Sequence, residues 1–157
     1  MSCRGEFANG VRVIPCSTGD LCKLAQRMRQ VLHLENTPYF PVVRFLEFLQ
    51  QALEDFDYEV VDDKEILKGM FANYNPLTGF VQIKETIYIM ANKGNGFARW
   101  TILHECLHHI LHRNQIAALA RQDNMPHKPY EDSEWQANTL ARELLMPLEM
   151  IEKLRRQ

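Results

Sequence analysis

Apolar residues recur at helical spacing in four stretches of the chain, and the period changes in between. Leu21, Leu24, Met28, Val31 and Leu32 make the first stripe. Ser17-Thr18-Gly19-Asp20 ahead of it fits a capping box, with Ser17 as the cap and Asp20 three residues on. Thr37-Pro38 breaks this helix, and a second opens near Pro41, because proline suits the first helical position. Its stripe is Val42, Phe45, Leu46, Leu49, Leu53 and Phe56. Strand formers follow at Tyr58–Val61, and Gly69–Tyr74, Phe80–Lys84 and Thr86–Met90 read as short strands, with Val81/Ile83 and Ile87/Ile89 alternating. Asn75-Pro76-Leu77-Thr78-Gly79 is a turn by composition, and Asn92–Gly96 is a second polar break. A long helix over about 97–113 buries Phe97, Trp100, Leu103, Leu107, Ile110 and Leu111. Met125-Pro126 resists helix, so 124–128 reads as a loop. A last large helix over about 131–146 turns Ala137, Leu140, Ala141, Leu144 and Leu145 inward, and Pro147 ends it or opens a short final helix through Arg156. Helices, a small sheet and helices again predict an α+β domain.

Length and composition narrow the class. The chain of 157 residues predicts an N-terminal arm at 1–16, without periodicity, and one domain over 17–157. Lys plus Arg is 18 and Asp plus Glu is 20, a near balance that argues against a direct nucleic-acid footprint. Apolar runs fall far short of the roughly 20 residues that cross a bilayer, so no membrane partner is expected. Cys3, Cys16, Cys22 and Cys106 lack the density of a secreted disulfide framework, and no C-x-x-C pair offers a thiolate zinc site. The expected location is the cytoplasm, with reduced thiols.

Chemistry enters with His104-Glu105-Cys106-Leu107-His108 inside the third helix. Residues four apart on a helix share a face. Two imidazoles at that spacing can reach one zinc ion at about 2.0–2.1 Å. Glu105 stands beside the first ligand, where a general base for a metal-activated water belongs. An H-E-x-x-H-x-x-G-x-x-H site is excluded, because Leu111 and Asn114 stand where Gly and His would be needed. His112 lies two turns from His104, about 12 Å along the axis, too far to share an ion with it. It reads as a polar contact or loop anchor, and His33, His109 and His127 read as structural or solvated. The third ligand is then expected from the last large helix. Glu134 fits, since Ala137 and Leu140 bring its side of the helix toward the core. Asn138, one turn on, could accept a hydrogen bond from a ligand imidazole. Glu131 and Asp132 are rivals, although both also suit an acidic helix start.

The segment from Arg99 through His112 (R-W-T-I-L-H-E-C-L-H-H-I-L-H), with Glu134-Trp135-Gln136-Ala137-Asn138 and Glu143-Leu144-Leu145-Met146-Pro147, resembles the ImmA/IrrE family of metallopeptidases. That family typically reads like R-x-F-T-L-A-H-E-L-G-H-x-x-L-H, then E-x-E-A-N-x-F-A-x-x-L-L-M-P. Trp100, Cys106, Leu107 and Leu140 depart from it, and Leu107 puts bulk where glycine is common. The resemblance implies a single zincin-like domain: helices around a small, mostly antiparallel sheet of three to four strands, with the H-E-x-x-H on a central helix. It implies one zinc on His104, His108 and Glu134, with Glu105 catalytic. The function it implies is a zinc endopeptidase that cleaves one intracellular protein partner, a helix-turn-helix repressor or antitoxin-like regulator.

An oxyanion donor is expected from Tyr130, His127, His109 or Arg142. Phe80–Met90 is expected to offer a strand edge for an extended substrate. Two alternatives compete: a metal-bound antirepressor that holds its partner without turnover, and a domain in which zinc only braces two helices.

Overall fold

Every interior apolar stripe except one lands in a regular element of the expected type. The computed structural model describes residues 10–66, 69–115 and 126–157. Along them run α1 (Thr18–Val31), α2 (Val42–Ala52), β1 (Asp57–Val61), β2 (Ala72–Asn75), β3 (Phe80–Lys84), α3 (Glu85–Asn92), α4 (Gly96–His112), α5 (Ser133–Leu145) and α6 (Leu148–Arg155). Short 3-10 turns occupy Arg113–Gln115 and Pro129–Glu131. The class is α+β. The chain forms two units, Pro41–Ala120 and a second made of Met1–Phe40 with Arg121–Gln157. Residues 124 and 125 of the expected loop lie outside the described residues. No helix among the described residues is long and apolar enough to cross a membrane.

The first of these units carries the sheet, in the order β1-β3-β2. Asn75 Oδ1 accepts from the Leu77 N–H at 2.9 Å and the Gly79 N–H donates to the Asn75 carbonyl at 2.9 Å, which closes the β2–β3 hairpin. β2 pairs antiparallel to β3, with Tyr74 opposite Val81. β1 pairs parallel to β3, with Tyr58 opposite Val81. The sheet is therefore three-stranded and mixed, where a mostly antiparallel one was expected. β3 lies in the middle, which explains why Val81 and Ile83 are both 0% exposed.

The stripe that changes type is Thr86–Met90, expected as a strand and found within α3. Ile87 and Ala91, four apart, form its buried face, while Ile89 is exposed. Asp63 caps this helix from a distant loop. Its Oδ1 accepts from the Thr86 N–H at 3.1 Å and its Oδ2 accepts from the Thr86 hydroxyl. The two Thr86 donors hold the Asp63 carboxyl below the usual carboxylate range. Alternating isoleucines cannot report such a long-range cap. The expectation of a free edge over Phe80–Met90 falls with this, because β3 is paired on both sides and the rest is helix.

α4 also sits differently from its expected stripe. Leu103 and Leu107 are buried, but Phe97 is 53% exposed. The buried face instead includes Ala98, Ile102, Cys106, His108, His109 and His112. Leu107 is wholly buried, so its bulk goes into core packing rather than into an open cleft.

In the other unit, Ser17 and Asp20 form the expected capping box at the start of α1. The buried face of α1 is Leu21, Ala25 and Arg29, whereas Val31 is exposed. Arg29 rotates the stripe. Its guanidinium donates to the carbonyls of Leu34, Thr37, Pro38 and Leu144, with Thr37 at 2.6 Å, and lies 5.7 Å from the Phe40 ring centre. It thereby joins the end of α1, the following loop and the end of α5. Residues 11–16 run antiparallel to 130–133: the Val13 N–H donates to the Glu131 carbonyl, and the Cys16 N–H to the Tyr130 carbonyl. The buried Gln136 side chain donates to the carbonyls of Ile14 and Tyr130, which fixes this segment to α5.

Hydrogen bonds to a charged group contribute about 1.5–3 kcal/mol each, and buried carbonyls left without donors add a desolvation cost. Arg29→Met should therefore lower the unfolding free energy by about 3 kcal/mol or more in urea denaturation, with the helical spectrum retained in the absence of denaturant.

Candidate metal centre

One helical turn separates His104 from His108 on α4, and the two rings face each other through Nε2 at 3.1 Å. Their planes are nearly perpendicular, at 87°, with centroids 4.7 Å apart. Two nitrogens bound to one zinc at 2.0–2.1 Å and the tetrahedral angle stand about 3.3 Å apart. The pair is thus held at the separation that two ligands of a single ion require. His108 is buried and His104 is half-buried. Glu105 follows His104 on the same helix and is half-buried.

Behind His108 the packing is polar and aromatic. Its Nδ1 lies 3.3 Å from Nδ1 of His112, which is fully buried. On the sheet side the Tyr74 ring is parallel to the His108 ring within 7°, at a centroid distance of 6.3 Å. The Tyr74 hydroxyl donates to His109 Nδ1 at 2.8 Å. His109 Nε2 lies 3.2 Å from Asp55 Oδ1, and Arg113 Nη1 lies 3.5 Å from the same oxygen. An ionised carboxylate only accepts, which assigns the His109 proton to Nε2 and leaves Nδ1 to accept from Tyr74. Burial pushes the His109 pKa down, against the opposing pull of Asp55. Burial, helped by Asp55, pushes the Tyr74 hydroxyl up to about 12. Tyr74 is therefore a neutral donor throughout the physiological range.

Cys106 lies inside the motif but not in its chemistry. It is fully buried, and burial pushes its thiol pKa up, so it does not supply a thiolate. His109 is tied to Tyr74 and Asp55 through both nitrogens, which removes it from the oxyanion donors considered. His127 Nε2 lies 2.6 Å from Asp132 Oδ2, Tyr130 carries Lys128 Nζ 5.6 Å from its ring centre, and Arg142 is exposed.

The carboxylates at the start of α5 divide by their local partners. Asp132 caps the helix: its Oδ1 accepts from the Trp135 N–H at 2.9 Å, and its other oxygen faces His127. Glu131 accepts from the Lys128 N–H at 3.1 Å and faces Arg12 at 3.4 Å. That backbone donor, aided by Arg12, holds its carboxyl below the usual range. Asp132 thus serves the start of α5, and Glu131 the 3-10 turn ahead of it. Glu134 is the second residue of α5 and is half-buried, with Asn138 one turn on and likewise half-buried.

Asp55 and Tyr74 were not singled out from the sequence. They lie 54 and 35 residues before His109, with no common spacing, and only the alternation of Ala72 and Tyr74 on β2 hints that Tyr74 points inward.

With this geometry in view, comparison with known proteins gives the class. The chain belongs to the IrrE N-terminal-like domain family, Peptidase_M78, whose model matches residues 42–157. This is a family of zincin-like metallopeptidases and regulators. Among solved structures, the chain is similar to a Mycobacterium tuberculosis transcriptional regulator, with a TM-score of 0.56 and 16% identity. The match covers 87% of this chain and 38% of that regulator, so the present chain spans well under half of its length. At that identity the likeness is one of fold. No curated protein matches the sequence.

The contact between Asp55 and the metal helix depends on Gly79. Its φ is +71°, and a Cβ there would lie 1.9 Å from the Asp55 carbonyl oxygen and 3.2 Å from His109 Cε1. A residue held in this region of backbone space costs on the order of 1–3 kcal/mol before any clash is counted. Gly79→Ala should lower stability by about 2 kcal/mol or more, measured by thermal or urea unfolding.

Proposed function

We propose that this protein is a zinc-dependent endopeptidase that cleaves one specific protein partner. The observation that carries the reading is the His104–His108 pair, set at ligand separation on a helix of a metallopeptidase family. His104, His108 and Glu134 are a donor set that could hold a metal ion. Two imidazoles and one carboxylate are the ligands of many catalytic zinc sites, which leave the fourth position open. A closed structural site would take a fourth protein ligand, and among the described residues this donor set has three members. One zinc per chain follows, with Asn138 as an outer hydrogen-bond partner to the ligands.

A bound zinc supplies Lewis acidity and an acidified water at neutral pH. Glu105, beside His104, takes the proton from the attacking water and delivers it to the leaving amine. Its carboxylate gives the site a general base, which an antirepressor that only holds its partner has no use for.

Substrate is proposed to bind extended along β2 rather than along β3. The Lys84 N–H donates to the Phe71 carbonyl, so alternation along the hairpin turns the N–H groups of Ala72 and Tyr74 away from β3. Tyr74 also stacks on His108, which brings this strand to the metal helix. A peptide added there gains main-chain hydrogen bonds, and its side chains meet pockets that select it. The partner is proposed to be a DNA-binding repressor or antitoxin-like regulator met in the cytoplasm, as the resemblance of the sequence motifs implies. No direct contact with nucleic acid or membrane is needed for this.

The test combines metal analysis with cleavage. Purified protein should hold about one zinc per chain, and Ala at His104, His108 or Glu134 should each remove most of it. Glu105→Gln should keep zinc and fold while cleavage of the partner drops by at least about 100-fold. Full zinc in Glu134→Ala with loss in Glu131→Ala would move the third ligand. Unchanged cleavage in Glu105→Gln would remove the proposed base.

Strand addition has its own readout. Ala72→Pro removes one outward N–H. It should raise KM for the partner by roughly 10-fold while leaving zinc content unchanged, the loss expected for about 1.4 kcal/mol of main-chain binding. Normal cleavage by this variant would put the substrate elsewhere.

A further inference from the structure

We infer that His112 is a positioning residue that holds the metal ligand His108 in one tautomer and one ring orientation. The inference rests on the proposed metal centre and adds a residue to it. His104, His108 and His112 stand at successive turns of α4, but the two contacts differ. His104 and His108 meet through Nε2, whereas His108 and His112 meet through Nδ1, at 3.3 Å. The His108 ring is thus read from both ends: one nitrogen faces the ligand pair and the other faces His112.

Proton bookkeeping then gives His112 a definite role. A histidine that binds metal through Nε2 carries its proton on Nδ1, and that N–H needs an acceptor. His112 presents Nδ1, so it accepts there with its lone pair and carries its own proton on Nε2. Its ring is 0% exposed, so water does not replace it in this role. A carboxylate would accept as well, but it would bring a full charge into a site with no exposure to solvent. A neutral imidazole accepts without that cost. The 41° tilt between the two rings, with centroids 5.4 Å apart, is an edge contact of the kind a ring-to-ring hydrogen bond requires, not a stacked one.

The test measures zinc affinity by chelator competition on the full chain, with His112→Leu and His112→Asn beside the wild type and His104→Ala. Leucine fills the space without an acceptor, while asparagine places an oxygen where Nδ1 was. His112→Leu should weaken zinc binding roughly 10–100-fold, the usual effect of losing an outer-shell partner, and His112→Asn should recover most of it. Equal affinity in wild type and His112→Leu, or equal weakness in the Leu and Asn variants, would overturn the inference. A wild type that binds zinc no better than His104→Ala would overturn the metal centre itself, which is a different result. A second measurement needs no variant. Nitrogen NMR of the zinc-loaded wild type should show a proton on His108 Nδ1 and none on His112 Nδ1. A proton on His112 Nδ1 would contradict the assignment.

Discussion

Burying imidazoles on one face of a helix constrains everything packed against that helix. His108, His109 and His112 are 6%, 1% and 0% exposed. A buried ring nitrogen without a partner costs roughly 1–3 kcal/mol, so the surroundings must supply donors and acceptors. His108 takes His104 on one side and His112 on the other. His109 takes the Tyr74 hydroxyl from β2 and the Asp55 carboxylate from the loop after α2. The glycine at the end of the β2–β3 turn lets the Asp55 backbone close in. The hairpin, that loop and the metal helix are thus held together by the demands of polar groups as well as by apolar packing.

The same logic shapes the second unit around α5. Asp132, 1% exposed, is both the helix cap and the partner of His127. Glu131 is held by the Lys128 backbone and Arg12. Arg29 does at the other end of α5 what Asp132 does at its start, by satisfying the Leu144 carbonyl.

Local signals were legible in the chain, and long-range ones were not. The capping box at Ser17, the stripe Val42-Phe45-Leu46-Leu49 and the turn after Asn75 are short-range, and each forms where its residues predict. His104 and His108 were readable because their spacing matches the helix itself. Thr86–Met90 misled because alternation of isoleucines over five residues fits a strand, while the cap that makes it a helix comes from Asp63. The α1 stripe was misplaced because Arg29, a charged residue by type, is one of its most buried members. His112 reads from its spacing as a polar contact, but that its partner is His108 depends on ring orientation, which spacing does not specify. Asp55 and Tyr74 meet His109 only through the topology of the sheet.

The central claim is a metal held by two imidazoles and a carboxylate, and X-ray absorption at the zinc edge of the loaded protein tests it most directly. The account predicts four nitrogen or oxygen neighbours at about 2.0–2.1 Å, with the outer-shell scattering of two imidazoles and no sulfur. A sulfur neighbour near 2.3 Å, or a shell without imidazole scattering, would contradict it.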